Sequence, residues 1–143
     1  DDTHFNKSNT LKLKNLSIMS GTNSKHVASL ELIFKEELKE VSGSGNGPID
    51  AVFNCISKVV GFSPKLVLYH INAITPDSDA QGEVTVKLGY FNKEFIGKAS
   101  DIDIIVASAK SYINACNKII NFENNSNMQE GVSEISISNI KGI

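Results

Sequence analysis

One order of predicted elements occurs twice along the sequence, and this duplication constrains the fold more than any single motif does. Three segments of alternating apolar and polar residues precede a segment of helical periodicity, first within residues 10–61 and again within residues 64–120. The two predicted helices begin about 55 residues apart, and a fixed internal period indicates a duplicated unit. We therefore predict an α+β fold made of two βββα units that are related by a pseudo-two-fold axis.

The apolar residues of each unit fall on one face of its strands and one face of its helix. In the first unit these faces carry Ala28, Leu30, Leu32 and Phe34 on the strand and Ile49, Val52, Phe53, Ile56, Val59 and Val60 on the helix. In the second unit they carry Val84, Val86, Leu88 and Tyr90 on the strand and Ile105, Ser108, Ala109, Tyr112, Ala115, Cys116 and Ile119 on the helix. Because the strands are apolar on one face only, we expect a helix to cover that face and the other face to be left for a partner.

The length of the chain favours a single domain. A chain of 143 residues, 41% of them hydrophobic, can bury one core and is too short for two ordinary domains. We assign the domain to residues 10–120, with a polar segment at residues 1–9 before it. Residues 121–143 are rich in asparagine and serine, so we expect a flexible tail there. Ile135 and Ile137 alternate with serines, and a short strand within the tail is the alternative.

Net charge and cysteine spacing narrow the range of partners. The formal net charge is −2, the basic residues are scattered, and no apolar run has membrane-spanning length. We therefore expect no nucleic-acid and no membrane partner and, in the absence of a signal-like N-terminal segment, a cytoplasmic location. Cys55 and Cys116 lie in separate predicted helices without a CxxC motif or a histidine at metal-ligand spacing, which favours reduced, buried thiols.

A glycine-rich segment leads into the first predicted helix, with the sequence SGSGNGPIDAVFNCI at residues 42–56. It is not a P-loop, because it lacks the Gly-Lys-Ser/Thr ending that supplies the phosphate lysine and the metal-binding hydroxyl. It is not a Rossmann fingerprint either, since the glycine inside the following helix is missing. Two interpretations stay open: a tight turn that needs residues tolerant of positive φ, or free N–H groups at a helix start that hold a carboxylate.

The sequence contains no complete set of catalytic residues. His4, His26 and His70 are accompanied by neither a nucleophile elbow nor an HExxH motif. Ser100, Asp101 or Asp103 can cap the second helix, because a side-chain oxygen there can accept from the first free N–H groups. We expect this chain to be non-catalytic and to carry no metal or other cofactor of its own.

Three segments of the sequence together resemble a known family. They are SGSGNGPIDAVFNCI, LYHINAITPDSDAQGEVTVKL and DIDIIVASAKSYINACNKI, and the resemblance runs in register over about residues 11–120. The sequence resembles the C-terminal regulatory domain of 2-isopropylmalate synthase and of related α-acyl-condensing synthases. The resemblance implies a domain of two βββα units that forms a homodimer and mediates feedback inhibition by an end product.

The full enzymes of this family are acyltransferases of leucine biosynthesis. They join acetyl-CoA to 2-oxoisovalerate on a TIM barrel that carries a divalent metal. This chain contains neither that barrel nor its metal-binding histidines. The resemblance therefore implies an allosteric domain alone, whose partner is the catalytic barrel of the same parent chain.

The resemblance also implies where the effector, leucine, binds: near the two helix N-termini, between the repeats and close to the dimer seam. Asp50 is the implied partner of the effector's ammonium group, and the N–H groups at the start of the second helix are the implied donors to its carboxylate. The implied site consists of the loop residues Gly45, Asn46, Gly47, Pro48, Ile49 and Asp50, the side-chain wall Leu66, Tyr69, Ala73 and Ala80, and the helix start Asp101, Ile102 and Asp103. Ile102 stands where many relatives have a threonine, which leaves the carboxylate contact to backbone donors.

Two alternatives compete with a leucine-binding domain. The related (R)-citramalate synthase carries the same domain and responds to isoleucine, although the segments GNGPIDA and DIDIIVASAKSYINA look more like the isopropylmalate enzymes. The second alternative is a free-standing small-molecule-binding or dimerisation module with no synthase attached. A catalytic barrel with HxH metal ligands upstream in the same reading frame would distinguish a synthase domain from a free-standing module.

Overall fold

The computed structural model describes residues 10–21, 25–73 and 82–141, which form six strands and two helices in the predicted order. The first unit consists of β1 (Leu11–Met19), β2 (His26–Phe34), β3 (Glu37–Gly45) and α1 (Pro48–Val60). The second unit consists of β4 (Lys65–Ala73), β5 (Gly82–Tyr90), β6 (Lys93–Asp101) and α2 (Ile104–Lys141). The predicted α+β fold of two βββα units is confirmed.

The duplication extends to irregular features of the two antiparallel sheets, whose strand orders are β1-β2-β3 and β4-β5-β6. The first strand of each sheet has a bulge at the same place, between Leu13 and Asn15 in β1 and between Leu66 and Leu68 in β4. The hairpins after β2 and β5 share a turn of two residues with positive φ. These residues are Lys35 and Glu36 in the first unit and Phe91 and Asn92 in the second. Positive φ at both central positions is the type I′ geometry, whose twist matches that of the flanking strands.

The core lies between the helices and one face of each sheet. α1 packs against β2 and β3, and α2 packs against β5, β6 and β1. The predicted apolar faces are confirmed, because their central positions are buried. These positions are Ala28, Leu30, Leu32, Val84, Val86 and Leu88 on the strands and Val52, Phe53, Ile56, Ser108, Ala109, Tyr112, Ala115, Cys116 and Ile119 on the helices.

A buried asparagine of α2 ties the second unit to the first. The side chain of Asn117 accepts the N–H of Leu11 at 2.8 Å and donates to the carbonyl of Leu11 at 2.9 Å. β1 is an edge strand, so backbone groups on its outer side need partners from outside the sheet. Asn117 supplies both partners for Leu11.

Aromatic rings fill the space between α1 and α2. Phe53 of α1 stacks on Tyr112 of α2 with ring centroids 4.2 Å apart and an interplanar angle of 22°. The Tyr112 hydroxyl lies 2.9 Å from Oγ of Ser57 on α1. Burial raises the pKa of Tyr112 to about 12, so this hydroxyl keeps its proton at neutral pH. The two helices are therefore joined by a neutral hydrogen bond as well as by ring stacking.

β3 is longer than the sequence predicts. The alternation of apolar residues indicates a strand over about residues 38–42, whereas β3 runs from Glu37 to Gly45. Serines and glycines replace apolar residues after Val41, so the period-2 signal disappears while the backbone pairing with β2 continues to His26 opposite Gly45. Two of the three glycines of the glycine-rich segment therefore lie in a strand rather than in a loop.

α2 also extends further than its apolar stripe. The sequence predicts a helix that ends near residue 119, whereas α2 continues to Lys141. The helical backbone persists although asparagines and serines interrupt the apolar stripe, and the alternative of a strand at Ile135 and Ile137 is wrong. The flexibility of residues 121–143 stays a prediction. Despite its length, α2 lacks the sustained apolar character of a membrane span, as does the other helix of the described residues.

β4 is the least covered of the described strands. Its counterpart β1 packs against α2, whereas most side chains of β4 are exposed. Four of these are large apolar residues with 42% to 46% of their surface accessible. They are Leu66, Val67, Leu68 and Ile71. Leu66 and Ile71 pair with buried residues of β5, whereas Leu68 pairs with Lys87 and lies on the other face of the sheet. Exposed apolar residues of this kind are typical of an interaction surface, and β4 presents them on both faces.

Candidate functional site

The glycine-rich segment ends β3 and enters α1 through a connection of two residues, Asn46 and Gly47. A Cβ atom at Gly45 would lie 2.5 Å from the backbone nitrogen of Ala51 and 2.6 Å from Oδ2 of Asp50. Real Cβ atoms do not approach backbone atoms this closely, so the first turn of α1 can pack against the end of β3 only if residue 45 is glycine.

The interpretation of this segment as a turn that requires positive φ is wrong. Gly47 has φ −150°, which is extended backbone that any residue adopts. Among the described glycines, positive φ occurs at Gly61, which ends α1 in a left-handed conformation with φ 84°. The glycine at position 45 serves a close approach, and the left-handed glycine lies at the other end of the helix.

The start of α1 has no side-chain cap. Gly47 is the N-cap residue, and the first backbone hydrogen bond runs from the nitrogen of Ala51 to the carbonyl of Gly47 at 3.0 Å. Pro48 has no N–H, so Ile49 carries the first backbone donor of the helix. The exposed carboxylate of Asp50 turns back over the connection, where its Oδ2 accepts the N–H of Asn46 at 3.0 Å. An exposed carboxylate thus lies beside backbone donors that no side chain caps.

The start of α2 is capped by its own acidic residues. Asp103 Oδ1 accepts the N–H of Ile105 at 2.8 Å, and Asp101 Oδ1 accepts the N–H of Asp103 at 3.0 Å. Asp101 Oδ2 also accepts from the ammonium of Lys110 at 3.0 Å. The N–H of Asp103, together with the Lys110 ammonium, holds the pKa of Asp101 below its usual range. Of the capping residues that the sequence offers, Asp103 caps the helix itself and Asp101 closes the turn before it.

The bulge of β4 places two predicted wall residues on the same face of the sheet. Leu66 pairs with Leu88 and Tyr69 pairs with Val86, so both face the side on which the β5 residues are buried. Residues three apart lie on opposite faces of a regular strand. The extra residue of the bulge, Val67, brings Leu66 and Tyr69 back to one face.

Ile71 shares that face and is a candidate wall residue that the sequence interpretation missed. It pairs with Val84 and points toward the helix side, yet 46% of its surface is exposed. A Cβ atom at Gly82 would lie 2.7 Å from Cδ1 of Ile104 and 3.5 Å from Cγ2 of Ile71. The first side chain of α2 therefore lies over Gly82 and beside the wall.

Tyr69 contacts both helices. Its hydroxyl lies 2.6 Å from Oγ of Ser108 in α2, and its ring packs edge to face on Phe53 of α1, with centroids 6.1 Å apart. Ser108 Oγ donates to the carbonyl of Ile104 at 2.7 Å. Tyr69 thus connects the wall on β4 with α1 and with the first turn of α2.

The structure brings part of the predicted site together. Ala73 pairs with Gly82, which pairs with Asp101, so the end of the wall and the residues before α2 share one row of the sheet. Among the described residues, no hydrogen bond joins the Asn46–Asp50 contact to that row. The side chain of Ile102 is exposed. Ala80 lies outside the described residues.

The two thiols are buried and free, as the sequence predicts. Burial raises the pKa of Cys116 far above its usual value and also raises that of Cys55, where the nearby Lys58 opposes the shift. Both therefore stay as unreactive thiols at neutral pH. Among the side chains that the structure describes, no group of three or more His, Cys, Asp or Glu residues is placed to hold a metal ion.

Comparison with known families identifies the domain. The family model described as the LeuA allosteric (dimerisation) domain matches residues 1–120. The chain belongs to this family. The family match covers all six strands, α1 and α2 as far as residue 120, and so includes the glycine-rich segment and the wall on β4.

Curated relatives share the same region. The chain is 42% identical over 110 residues to the 2-isopropylmalate synthase of Bradyrhizobium diazoefficiens, which covers 77% of this chain and 21% of the relative. It is 38% identical over 120 residues to the 2-isopropylmalate synthase of Rhodopseudomonas palustris, which covers 84% of this chain and 23% of the relative. The 2-isopropylmalate synthase of Nitrobacter winogradskyi is 42% identical over 110 residues. The chain thus spans about a fifth of the length of these relatives.

Proposed function

We propose that this LeuA-family domain is the feedback-regulatory part of a 2-isopropylmalate synthase and binds leucine. The observation that carries the proposal is the family match over residues 1–120, to which the relatives named 2-isopropylmalate synthase add sequence identity of about 40%. In this proposal the parent enzyme is cytoplasmic and condenses acetyl-CoA with 2-oxoisovalerate on a separate catalytic barrel with a divalent metal. The present domain carries the effector site and contributes to a homodimer.

The geometry at the start of α1 supports an amino acid as the effector. A zwitterion needs hydrogen-bond donors for its carboxylate and a negative group for its ammonium, a few ångströms apart. The start of α1 offers uncapped N–H groups and the carboxylate of Asp50, one of whose oxygens accepts from Asn46. At the start of α2, Asp103 already accepts the N–H of Ile105. We therefore assign the effector's carboxylate to α1 donors in preference to α2 donors.

Side-chain selectivity is assigned to the wall on β4 together with Ala80, which the family resemblance adds. All branched-chain amino acids present the same ammonium and carboxylate, so only Leu66, Tyr69, Ile71, Ala73 and Ala80 can distinguish them. One methylene or a moved branch in an apolar pocket changes binding by about 1–3 kcal/mol, so valine and isoleucine should bind roughly ten- to two-hundredfold more weakly than leucine. Calorimetric titration of the three amino acids against one sample measures this order. Tightest binding of isoleucine would instead indicate a citramalate synthase domain, and absence of binding below millimolar concentration would contradict an effector site.

Asp50→Asn is expected to weaken leucine binding much more than it weakens folding. The substitution removes the negative charge opposite the ammonium and keeps an oxygen that can accept the N–H of Asn46. A charge-assisted hydrogen bond contributes about 1.5–3 kcal/mol, so affinity should fall roughly ten- to a hundredfold. Glu94→Gln is the matched control, because it removes the charge of an exposed carboxylate at the hairpin end of β6, outside the implied site. Equal losses of affinity in the two variants would contradict the assignment to Asp50.

The exposed apolar residues of β4 support the proposed homodimer. We expect the chain to sediment as a dimer at micromolar concentration, since β4 leaves Leu66 and Ile71 uncovered on the helix side of the sheet and Val67 and Leu68 uncovered on the other side. Leu68→Glu should weaken association about tenfold or more, because it places a charge in the apolar contact. Met19→Glu, at an exposed apolar residue at the end of β1, should leave association unchanged. A wild-type species of 15.5 kDa would contradict the dimer, and a dimer that Leu68→Glu leaves intact would contradict the role of β4.

A further inference from the structure

A hydrogen-bonded chain connects the wall on β4 with the first turn of α2. Ser108 Oγ is buried and donates its proton to the carbonyl of Ile104 at 2.7 Å. A serine hydroxyl has only one proton, and Ser108 donates it to Ile104. The hydroxyl of Tyr69, 2.6 Å away, must therefore be the donor to Ser108 Oγ. Ile104 is the first residue of α2 and lies over Gly82, beside Ile71 of the wall.

These hydrogen bonds fix the distance between the Tyr69 ring and α2, next to the proposed effector pocket. The Tyr69 ring cannot swing away from α2 without breaking the bond to Ser108, and it cannot move toward α1 because Phe53 packs edge to face against it with centroids 6.1 Å apart. Phe53 is itself held by stacking on Tyr112. The Tyr69–Ser108 hydroxyl pair therefore fixes where the Tyr69 ring lies relative to α2.

We propose that Ser108 is a specificity-determining positioning residue, which holds Tyr69 so that the gap between β4 and the start of α2 admits leucine and rejects bulkier amino acids. The inference rests on the proposed function, because it gives Tyr69 the role of a wall residue. Ser108 does not itself contact the effector, and its influence passes through the Tyr69 hydroxyl. Without the Tyr69–Ser108 hydrogen bond, the Tyr69 ring can move away from α2, and this movement widens the pocket.

Ser108→Ala and Tyr69→Phe test this role, since each removes one side of the same hydrogen bond and keeps the rest of the side chain. A hydrogen bond of this kind corresponds to roughly a two- to tenfold change in affinity. We expect each variant to bind leucine more weakly by about that factor and phenylalanine or methionine no more weakly than the wild type, so the preference for leucine shrinks. The double variant should show no further loss, because the two single changes remove one shared interaction.

Ser111→Ala is the matched control within the same helix. Ser111 is also fully buried, but its Oγ donates to the backbone carbonyl of Ser108 at 2.9 Å, and not to a wall residue. Its loss should lower thermal stability to a similar extent and leave the ratio of leucine to phenylalanine affinity unchanged. Calorimetric titration of the 143-residue chain with leucine, methionine and phenylalanine gives these ratios, and thermal unfolding gives the stabilities.

The outcomes separate this inference from the proposed function. A wild-type chain that binds leucine, together with a Ser108→Ala variant of unchanged preference, overturns the role of Ser108 and leaves the effector site standing. Additive losses in the double variant, or an equal change of preference in Ser111→Ala, overturn it as well. A wild-type chain that binds none of the amino acids overturns both. If Ser108→Ala fails to fold, the Tyr69→Phe titration decides alone, because that substitution only removes a hydroxyl.

Discussion

Gly97→Ser is expected to unfold the domain at temperatures where the wild type is folded. A Cβ atom at position 97 of β6 would overlap the carbonyl oxygen of Ser111 and would lie 2.6 Å from the backbone nitrogen of Ala115. Both are backbone atoms of α2, so no rotation of a side chain relieves the overlap. Overpacking in a core costs about 1–3 kcal/mol, and more where the backbone itself has to move. We expect a loss of about 3 kcal/mol or more, which corresponds to a drop of about 10 °C or more in Tm.

Gly47→Ser is the matched control for this prediction. A Cβ atom at Gly47 meets nothing within 4 Å, and its φ of −150° suits any residue. Serine is also a better N-cap than glycine by a few tenths of a kcal/mol, so the stability of this variant should match or slightly exceed that of the wild type. Thermal unfolding followed by circular dichroism compares the three chains. Similar Tm values for Gly97→Ser and Gly47→Ser would show that β6 and α2 can separate without loss.

The period of the apolar residues predicted most of the architecture. Alternation located the faces of β2 and β5, and three- and four-residue spacing located α1 and the buried stripe of α2. These patterns arise from burial of one face, so they fade where burial stops. For that reason β3 appeared to end near residue 42, and α2 appeared to end with its stripe near residue 119.

Contacts between elements distant in sequence could not be predicted from periodicity. In the sequence, Gly97 is only a glycine within a predicted strand. The structure shows that position 97 must be glycine because the backbone of α2 approaches it closely. The β4 bulge cannot be predicted from the sequence either, because an inserted residue such as Val67 has no distinctive chemistry. The grouping of Leu66 with Tyr69 came from the family resemblance, while Ile71 was missed since only the register with β5 shows that it shares their face.

The helix starts illustrate what residue type alone could predict of the candidate site. Aspartate before a helix predicts a cap, and Asp103 fulfils that prediction. The same feature weakens α2 as a carboxylate site, because the cap competes for the donors that an effector would use. The conflict is seen only in the contacts of the folded chain, because residue types alone do not show which donors a cap occupies.

Asn117→Ala is expected to be about as damaging as Gly97→Ser. It leaves the buried N–H and carbonyl of Leu11 without the partners that lie at 2.8 and 2.9 Å in the wild type, and it opens a cavity between α2 and β1. Unsatisfied buried groups cost about 1–3 kcal/mol each, so we expect a total loss of about 3–5 kcal/mol in the free energy of unfolding. Asn114→Ala is the control. Asn114 is exposed and donates to the carbonyl of Lys98, and its loss should cost within about 1 kcal/mol.

Asn117→Asp adds a pH dependence that separates hydrogen bonding from packing. A neutral carboxylic acid can accept the N–H of Leu11 and donate to its carbonyl, whereas a carboxylate has no proton to donate and is buried without a cation. The pKa of the introduced carboxyl group in the folded variant should therefore lie above the unfolded value of about 3.9. A folded pKa above the unfolded one gives stability that is fully present below the unfolded pKa and is lost as the pH rises through the folded pKa.

The comparison has to be made against the wild type at each pH, because the lowered pKa of Asp101 makes both chains lose stability as the pH falls through that folded value. Denaturant unfolding at a series of pH values between about 4 and 8 gives the difference between the two chains. We expect that difference to be small near pH 4 and to grow toward neutral pH, while the deficit of Asn117→Ala stays constant. A deficit of Asn117→Asp that does not change with pH would mean that the donor to the Leu11 carbonyl contributes little, and that Asn117 joins the two units by packing alone.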